Sequence, residues 1–587
     1  MKAQKSNQRS FFKYLKRIIF IIPVLLAASW DGGSAQNAPV CTAPGDQDAN
    51  YKGIVYAGDE KAIIAWRDNR NESNGSDIYA QRVNIHGEVF WTKDGIVVCD
   101  APENQYNPRV VKDGQGGVII AWVDSRRDTA SDIYAQRVDS SGTMLWPDNG
   151  VAVFTATGAS GGEVDIISDG QGGAILIWGD VLEYRPTFFA QRLDSSGQRV
   201  WTEDGVHIGG ISSNMDAKLT TDGSDGAIIA WTDNRNSSQS NFDIYAQHLD
   251  GAGISQWTQD DVAVTQADYG QRVRGIASDK AGGAIIAWYD WRGDDGLYTQ
   301  RVDNSGNMVW VTYGVAFDST TYHDVEIKVI SDNAGGAYYI WTDRSFSSDQ
   351  TSDIYGQRMG ASDSHLWGLY GAPVCDHQGY QISPRAVHDG LDGIIVIWND
   401  NRDNDSTGWD IYAQRINSSG GKIWTDQGIC ISNEQHYQGN PEIAGCDSLG
   451  AIIVWSDSRN LDTGGRDIYM QGVDLDGNLY DVPTSISHRS IEKLPTKVKL
   501  YQNYPNPFNP VTYIRYELSC SYKVSISIYN VMGQKIKTFP SKNQNPGYHT
   551  VVWDGTDDAG RKVGSGIYYC RVSAGSYSAT KKMILLK

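Results

Sequence analysis

The sequence predicts an all-β protein: a β-propeller of about eight four-stranded blades, with seven as the alternative, followed by a small β-sandwich. Three observations predict it. A tryptophan closing an apolar run recurs at Trp66, Trp122, Trp178, Trp231, Trp288, Trp341, Trp398 and Trp455, at steps of 56, 56, 53, 57, 53, 57 and 57 residues. A fixed period of this size marks supersecondary units that bury their faces against neighbours. Each period holds four short strand-like runs punctuated by turn residues. From about residue 498 the period stops and a different set of alternating runs begins.

At the start of the chain, Lys2, Lys5, Arg9, Lys13, Lys16 and Arg17 form a basic region ahead of an apolar stretch at 18–28, and Gly33-Ser34-Ala35 follows it. The stretch is shorter than the roughly 20 residues that span a bilayer as a helix. Residues 1–35 read as a secretory signal peptide, so the expected location is secreted or on the outer-membrane cell surface, reached through the periplasm.

Residues 36–482 carry the repeat. Its clearest copy begins with Arg109-Val110-Val111, turns at Asp113-Gly114-Gln115-Gly116-Gly117, and continues as Val118-Ile119-Ile120-Ala121-Trp122. This second run is apolar on both alternating faces, as in a strand covered on both sides. Ile133 to Val138 alternates as a third strand, and the fourth is expected to hold Trp146 and Gly150-Val151-Ala152-Val153. Glycine and aspartate supply the turns. Four strands in about 56 residues fit a propeller blade; an Ig-type sandwich needs about 100 residues per unit. The last copy lacks the Gly-Val-x-Val segment, while 38–44 resembles 98–102. The N-terminal strand is therefore expected to complete the final blade, and such closure removes exposed sheet edges. The third copy diverges most, with Thr187-Phe188-Phe189 in place of Asp-Ile-Tyr.

Seven cysteines cannot all pair with one another. Cys41, Cys99, Cys375 and Cys430 recur at one place in the repeat and read as small buried apolar side chains. The net charge of −19 argues against a nucleic-acid partner and predicts a self-repelling, monomeric surface.

Residues 483–497 read as a linker, and 498–587 as a separate β-sandwich. Its motifs run in order: Tyr504-Pro505-Asn506-Pro507-Phe508-Asn509-Pro510, Trp553-Asp554-Gly555, Ser565-Gly566-Ile567, and Lys581-Lys582 near the end. This order closely resembles the type A sorting domain of the type IX secretion system, related to the Ig-like domain of flagellar hook-capping proteins. The resemblance implies an Ig-like fold and a partner in the type IX machinery of a Bacteroidetes-type bacterium. It also implies passage through an outer-membrane pore, then release or surface attachment, often with removal of the domain. The repeat region resembles the uncharacterised repeat propellers of secreted bacterial proteins. The Asp-box of sialidase-like propellers fits poorly, because Ser168-Asp169-Gly170-Gln171-Gly172-Gly173 lacks its spacing.

Two sets of residues could carry chemistry. The first is Trp-x-Asp-x-Arg followed by a second aspartate: Asp68 and Asp77, Asp124 and Asp132, Asp400 and Asp410. Closely spaced carboxylates suit Ca²⁺, the one cofactor worth naming; a motif repeated in nearly every blade suits an Arg–Asp pair pinning a loop. The second set breaks the repeat: Tyr106, Tyr269, Tyr322, Tyr380 and Tyr437 between blades, with Tyr184, Trp291 and Trp409 on other loops. Aromatic faces beside polar loops suit sugar stacking or a protein partner; the plainer reading is that they cover blade edges. No zincin, nucleophile-elbow, Walker or Cys-x-x-Cys signature is present. The expected function is binding of a glycan or surface protein without catalysis. The alternatives are a glycan-active hydrolase or lyase on a propeller scaffold, and a structural envelope protein.

Overall fold

A computed structural model of the chain describes residues 37–586, apart from 50–52, 72, 128–130, 156–160, 183–184, 210–216, 237–241, 293–295, 319–325, 344–350, 403–407, 462–464, 483–497, 504–505, 519–521, 545–546 and 576. The chain divides into two compact units, Met1–Thr484 and Ser485–Lys587.

The first unit contains eight antiparallel sheets, one for each recurring tryptophan, here blades 1 to 8 in the order Trp66 to Trp455. Blade 2 shows the plan, with consecutive strands Gln105–Lys112, Val118–Asp124, Asp132–Val138 and Val151–Phe154. Every residue of its second strand is buried, which is why that run is apolar on both faces. Blade 1 splits its first strand into Gln47–Asp48 and Ile54–Gly58, both lying along Lys61–Asp68. The break falls where blade 2 has a bulge between Tyr106 and Arg109. The divergent blade 3 is also a complete sheet, and Phe189 stacks on Trp178 at 6.1 Å in place of the usual tyrosine. Blade 8 takes its fourth strand from the other end of the chain: Ala38–Cys41 pairs with Met470, Tyr469 and Ile468.

The blades form a ring because each apolar cluster joins one blade to the next. Ile119 and Ala121 of blade 2 pack with Trp178 of blade 3. The same pattern runs through every interface to Ile452 and Val454 of blade 8, which pack with Trp66 of blade 1. All eight recurring tryptophans are fully buried, and truncating such a side chain to alanine typically costs about 3–5 kcal/mol. The glycine of Gly-Val-x-Val serves this packing. At Gly150 φ is 81°, and a Cβ there would stand 2.6 Å from the Trp122 ring. Only glycine meets both demands.

The sequence places the second tryptophan in the fourth strand, but in blade 2 that strand is Val151–Phe154 and Trp146 lies outside it. Trp146 lies in the connection ahead of Val151–Phe154, and its Nε1 donates to Ser195 O of blade 3 at 3.2 Å. The four-residue strand is too short to include it. The indole instead fastens one blade to the turn of the next.

The second unit is a two-sheet sandwich. One sheet contains Lys499–Leu500, Thr512–Leu518 and Gly547–Trp553; the other contains Tyr522–Asn530, Lys535–Gln544, Gly566–Ala574 and Tyr577–Leu585. Phe508, Ile514, Ile528, Trp553, Val572 and Leu585 form its core.

Candidate functional site

At one end of the blades, the second strand finishes at the aspartate of Trp-x-Asp-x-Arg. Asp68 accepts from Trp66 Nε1 at 2.8 Å, from Arg70 N and Nε at 2.9 Å each, and from Arg70 Nη2 at 2.6 Å. Arg70 also donates to Asp94 O, lies over the Tyr79 ring at 3.8 Å, and reaches Cys41 Sγ on the fourth strand of blade 8 at 3.2 Å. The same arrangement joins Asp124, Arg126 and Cys99, and Asp400, Arg402 and Cys375. Burial opposes the charge of Arg70, but the Asp68 carboxylate holds its pKa above the usual arginine value. Burial pushes the Cys41 and Cys99 thiols up to about 12, so they stay protonated. The six described cysteines, Cys430, Cys446 and Cys570 among them, are all free thiols; Cys520 lies outside the described residues.

The six candidate calcium residues meet in pairs. Asp77, Asp132 and Asp410 stand opposite Asp68, Asp124 and Asp400 across the second and third strands. Burial raises the pKa of Asp77, whose Oδ2 accepts from Asn71 Nδ2 at 3.1 Å, and Asp132 pairs with Arg127 at 2.7 Å. The carboxylates of Asp68, Asp124 and Asp400 are filled by arginine and indole donors. Among the described residues, no group of three or more His, Cys, Asp or Glu could hold a metal.

The connections between blades open at this same end, and a buried glutamine folds several of them. Gln271 Nε2 donates to Ala267 O at 3.2 Å and Tyr269 O at 3.1 Å, and Gln438 Nε2 donates to His436 O at 2.8 Å. Tyr269 and His436 thereby adopt left-handed φ values of 68° and 72°, as Glu103 does at 67° in blade 2. This geometry belongs to the loop, since it accepts three unrelated side chains.

The aromatic candidates divide by exposure. Tyr269, Tyr380 and Tyr437, just ahead of blades 5, 7 and 8, are 62%, 41% and 38% exposed. Trp291 is half-buried against Tyr289 at 4.9 Å, and Trp409 is half-buried where its carbonyl accepts from Gln438 N at 2.9 Å. Tyr106 is also half-buried, with its hydroxyl 3.0 Å from Ser131 Oγ. Tyr184 and Tyr322 lie outside the described residues. Of the six described candidates, the three exposed ones thus lie on one arc, over blades 5 to 8.

A second feature is not visible in the sequence alone. In each blade, one first-strand position lies across from the residue before the buried tryptophan. That position holds Arg109, Asp165, Lys218, Lys328, Arg385 and Glu442 in blades 2, 3, 4, 6, 7 and 8. Blade 5 places Gly275 there, with Arg274 beside it in a bulge, and blade 1 places Gly53. These are the innermost strands, so the positions form a charged belt around the ring axis. Arg385 pairs with Glu326 at 3.0 Å and Glu442 at 2.8 Å, and Lys328 pairs with Glu326 at 2.9 Å. Burial would raise the Glu326 carboxyl, but Lys328 and Arg385 hold it at about 2. The available signal was a charge inside an apolar run, as in Ile327-Lys328-Val329. It becomes regular only when the strands are set in register.

In the sandwich, the proline-rich motif lies along the last strand. Phe508 N donates to Ile584 O at 2.9 Å, Asn506 Oδ1 accepts from Ile584 N at 2.8 Å, and Phe508 packs on Trp553 at 5.5 Å. The Asn506–Pro507 and Asn509–Pro510 peptides are cis. Gly566 opens a strand, Lys582 is exposed, and Pro505 lies outside the described residues. Residues 514–578 match the FlgD Ig-like domain. That match supports the expectation of a hook-capping-related Ig-like domain at the C-terminus.

No curated protein matches the chain. Among solved structures, it is similar to a puromycin hydrolase variant complexed with PGG, at 10% identity and a TM-score of 0.40. The likeness covers 72% of this chain and 61% of that one, so this chain spans less than two thirds of that protein. It is also similar to PorZ, described as an essential bacterial surface component of the type IX secretion system of Porphyromonas gingivalis. That likeness has 11% identity and a TM-score of 0.27, and covers 93% of this chain and 82% of that one. A third is the β-propeller domain of the Trilobed protease from Pyrococcus furiosus, at 11% identity and a TM-score of 0.36, covering 63% and 95%.

Proposed function

We propose that this is a secreted or surface-displayed propeller that binds a glycan through the aromatic arc over blades 5 to 8, without catalysis. The observation that carries the reading is the placement of Tyr269, Tyr380 and Tyr437. All three occupy the loop ahead of a blade, and all three are exposed although each ring is large and apolar. An exposed ring costs hydration free energy, and stacking on a sugar face recovers it. The Trp-x-Asp-x-Arg sets serve as clamps in this reading, because their acceptor oxygens are already filled. The test is a glycan array probed with the mature chain, followed by titration of each hit. Tyr269→Ala and Tyr437→Ala should each weaken binding about tenfold or more, for a loss of about 1–2 kcal/mol. Unchanged affinity in both variants would remove the arc from the site, and turnover of a hit would replace binding with hydrolysis or lysis.

Residues 498–587 are the proposed type IX export signal, supported by the FlgD Ig-like match and by the order of motifs in the sequence. Deleting them should hold the propeller inside the outer membrane. Normal surface display of the truncated chain would refute that role.

A further inference from the structure

We infer that the axial belt recognises the acidic groups of the bound glycan, so that the ligand is a carboxylated or sulfated chain. This inference rests on the proposed glycan reading and adds the chemical class of the sugar.

Charge distribution is the starting point. The chain carries a net charge of −19, yet its belt positions hold four cations, Arg109, Lys218, Lys328 and Arg385, against two acids, Asp165 and Glu442. A charge placed on an inner strand needs an opposite charge or water. Across blades 6 to 8 the protein supplies the opposite charges itself. Two cations, Lys328 and Arg385, share two carboxylates, Glu326 and Glu442, at 2.8 to 3.0 Å. Blade 4 differs. Lys218 occupies the same register and is half-buried, and it has no ion-pair or hydrogen-bond partner among the described residues. An ammonium in that setting keeps its affinity for an incoming anion, and the low-dielectric walls around it concentrate its field.

The belt and the aromatic arc divide recognition between them. The arc offers flat apolar faces to any sugar ring. The belt offers positive charge only to a sugar that carries a carboxylate or a sulfate. A glycan lying over blades 5 to 8 and dipping an acidic residue into the ring would use both.

The experiment titrates the mature protein with oligogalacturonate, with its neutral methyl ester, and with dextran sulfate against plain dextran. Oligogalacturonate or dextran sulfate should bind more tightly than its neutral counterpart, and the preference should fade as ionic strength rises. Which of the two acids wins assigns carboxylate or sulfate. Lys218→Met should weaken the acidic probe at least about tenfold while leaving the neutral probe unchanged, and Lys218→Arg should restore it. Removing the stem's partnerless charge should leave the melting temperature as it is, so a loss of binding cannot be blamed on unfolding. Equal affinity for acidic and neutral probes would overturn the inference, as would an unaltered affinity in Lys218→Met. Tyr269→Ala separates the two readings. It should weaken acidic and neutral probes alike, so a failure of the arc shows in that variant and a failure of the belt shows in Lys218→Met.

Discussion

The interface between blades 2 and 3 and the seam between blades 8 and 1 are built from different residues at the same places in the repeat. Between blades 2 and 3, Arg137 pairs with Asp113 at 3.0 Å and donates to Ser195 O at 2.9 Å, beside the Trp146 indole. At the seam, glycine replaces the arginine at Gly472, Cys446 replaces the aspartate, and Tyr480 replaces the tryptophan. A Cβ on Gly472 would stand 2.0 Å from Ile85 O, so the turn of blade 1 occupies the space a side chain would need. Tyr480 meets His86 edge-on at 4.9 Å, and its hydroxyl donates to Leu449 O at 3.1 Å. Charge thus fastens the interface between blades 2 and 3, while close backbone approach fastens the seam.

Five measurements test this contrast. The largest effect should come from deleting residues 37–41, which exposes the third strand of blade 8 as an unpaired edge. Gel filtration and thermal unfolding should show strand-exchanged oligomers or lost cooperativity; an intact monomer with the parent melting temperature would mean the seam does not depend on that strand. Next, Trp146→Ala should cost about 3–5 kcal/mol in denaturant unfolding, and Tyr480→Ala about 2 kcal/mol, because the smaller ring is less buried. Equal losses would erase the distinction. Gly472→Arg, which restores the repeat's own residue at the seam, should cost about 1–3 kcal/mol through overpacking. A stabilised variant would mean that the blade 1 turn can yield. In blade 4, His248 stands in for the arginine and bonds Asp222 at 3.0 Å, while among the described residues Trp257 alone donates to Asn304 O. His248→Arg should add a second donor to that carbonyl and gain about 0.5–1 kcal/mol, read as a raised melting temperature. Finally, chelator or added Ca²⁺ should not shift the melting curve, because arginine and indole donors fill the clamp carboxylates. A calcium-dependent shift would point to a cation site outside those clamps.

The ring was legible in the sequence because its evidence is redundant. Eight buried tryptophans at nearly constant spacing, each ending a run apolar on both faces, leave little room for another architecture. The second tryptophan falls outside its expected strand because that strand is only four residues long, and adjacency to Gly-Val-x-Val does not mean membership. Sequence position brought out the loop aromatics but not their exposure, which neighbours decide. Tyr106 is tied to Ser131 and Trp291 leans on Tyr289, whereas Tyr269 has its ring largely in solvent. The belt is hidden in the sequence for a related reason. One charge in a five-residue strand is unremarkable alone, and its meaning lies in register with seven other strands.

The N-terminal strand has a consequence for the order in which the molecule can be made. Asn37 Nδ2 bonds Gln471 Oε1 at 3.3 Å across 434 positions of sequence. Residues 37–41 must therefore stay available until nearly the whole ring exists, because their partner strand, Asp467–Val473, is the last of the ring to appear. Pairings this distant are slow to form. A chain halted anywhere before Asp467 would present an open arc with a raw edge at each end, which a protease would tell apart from a finished wheel.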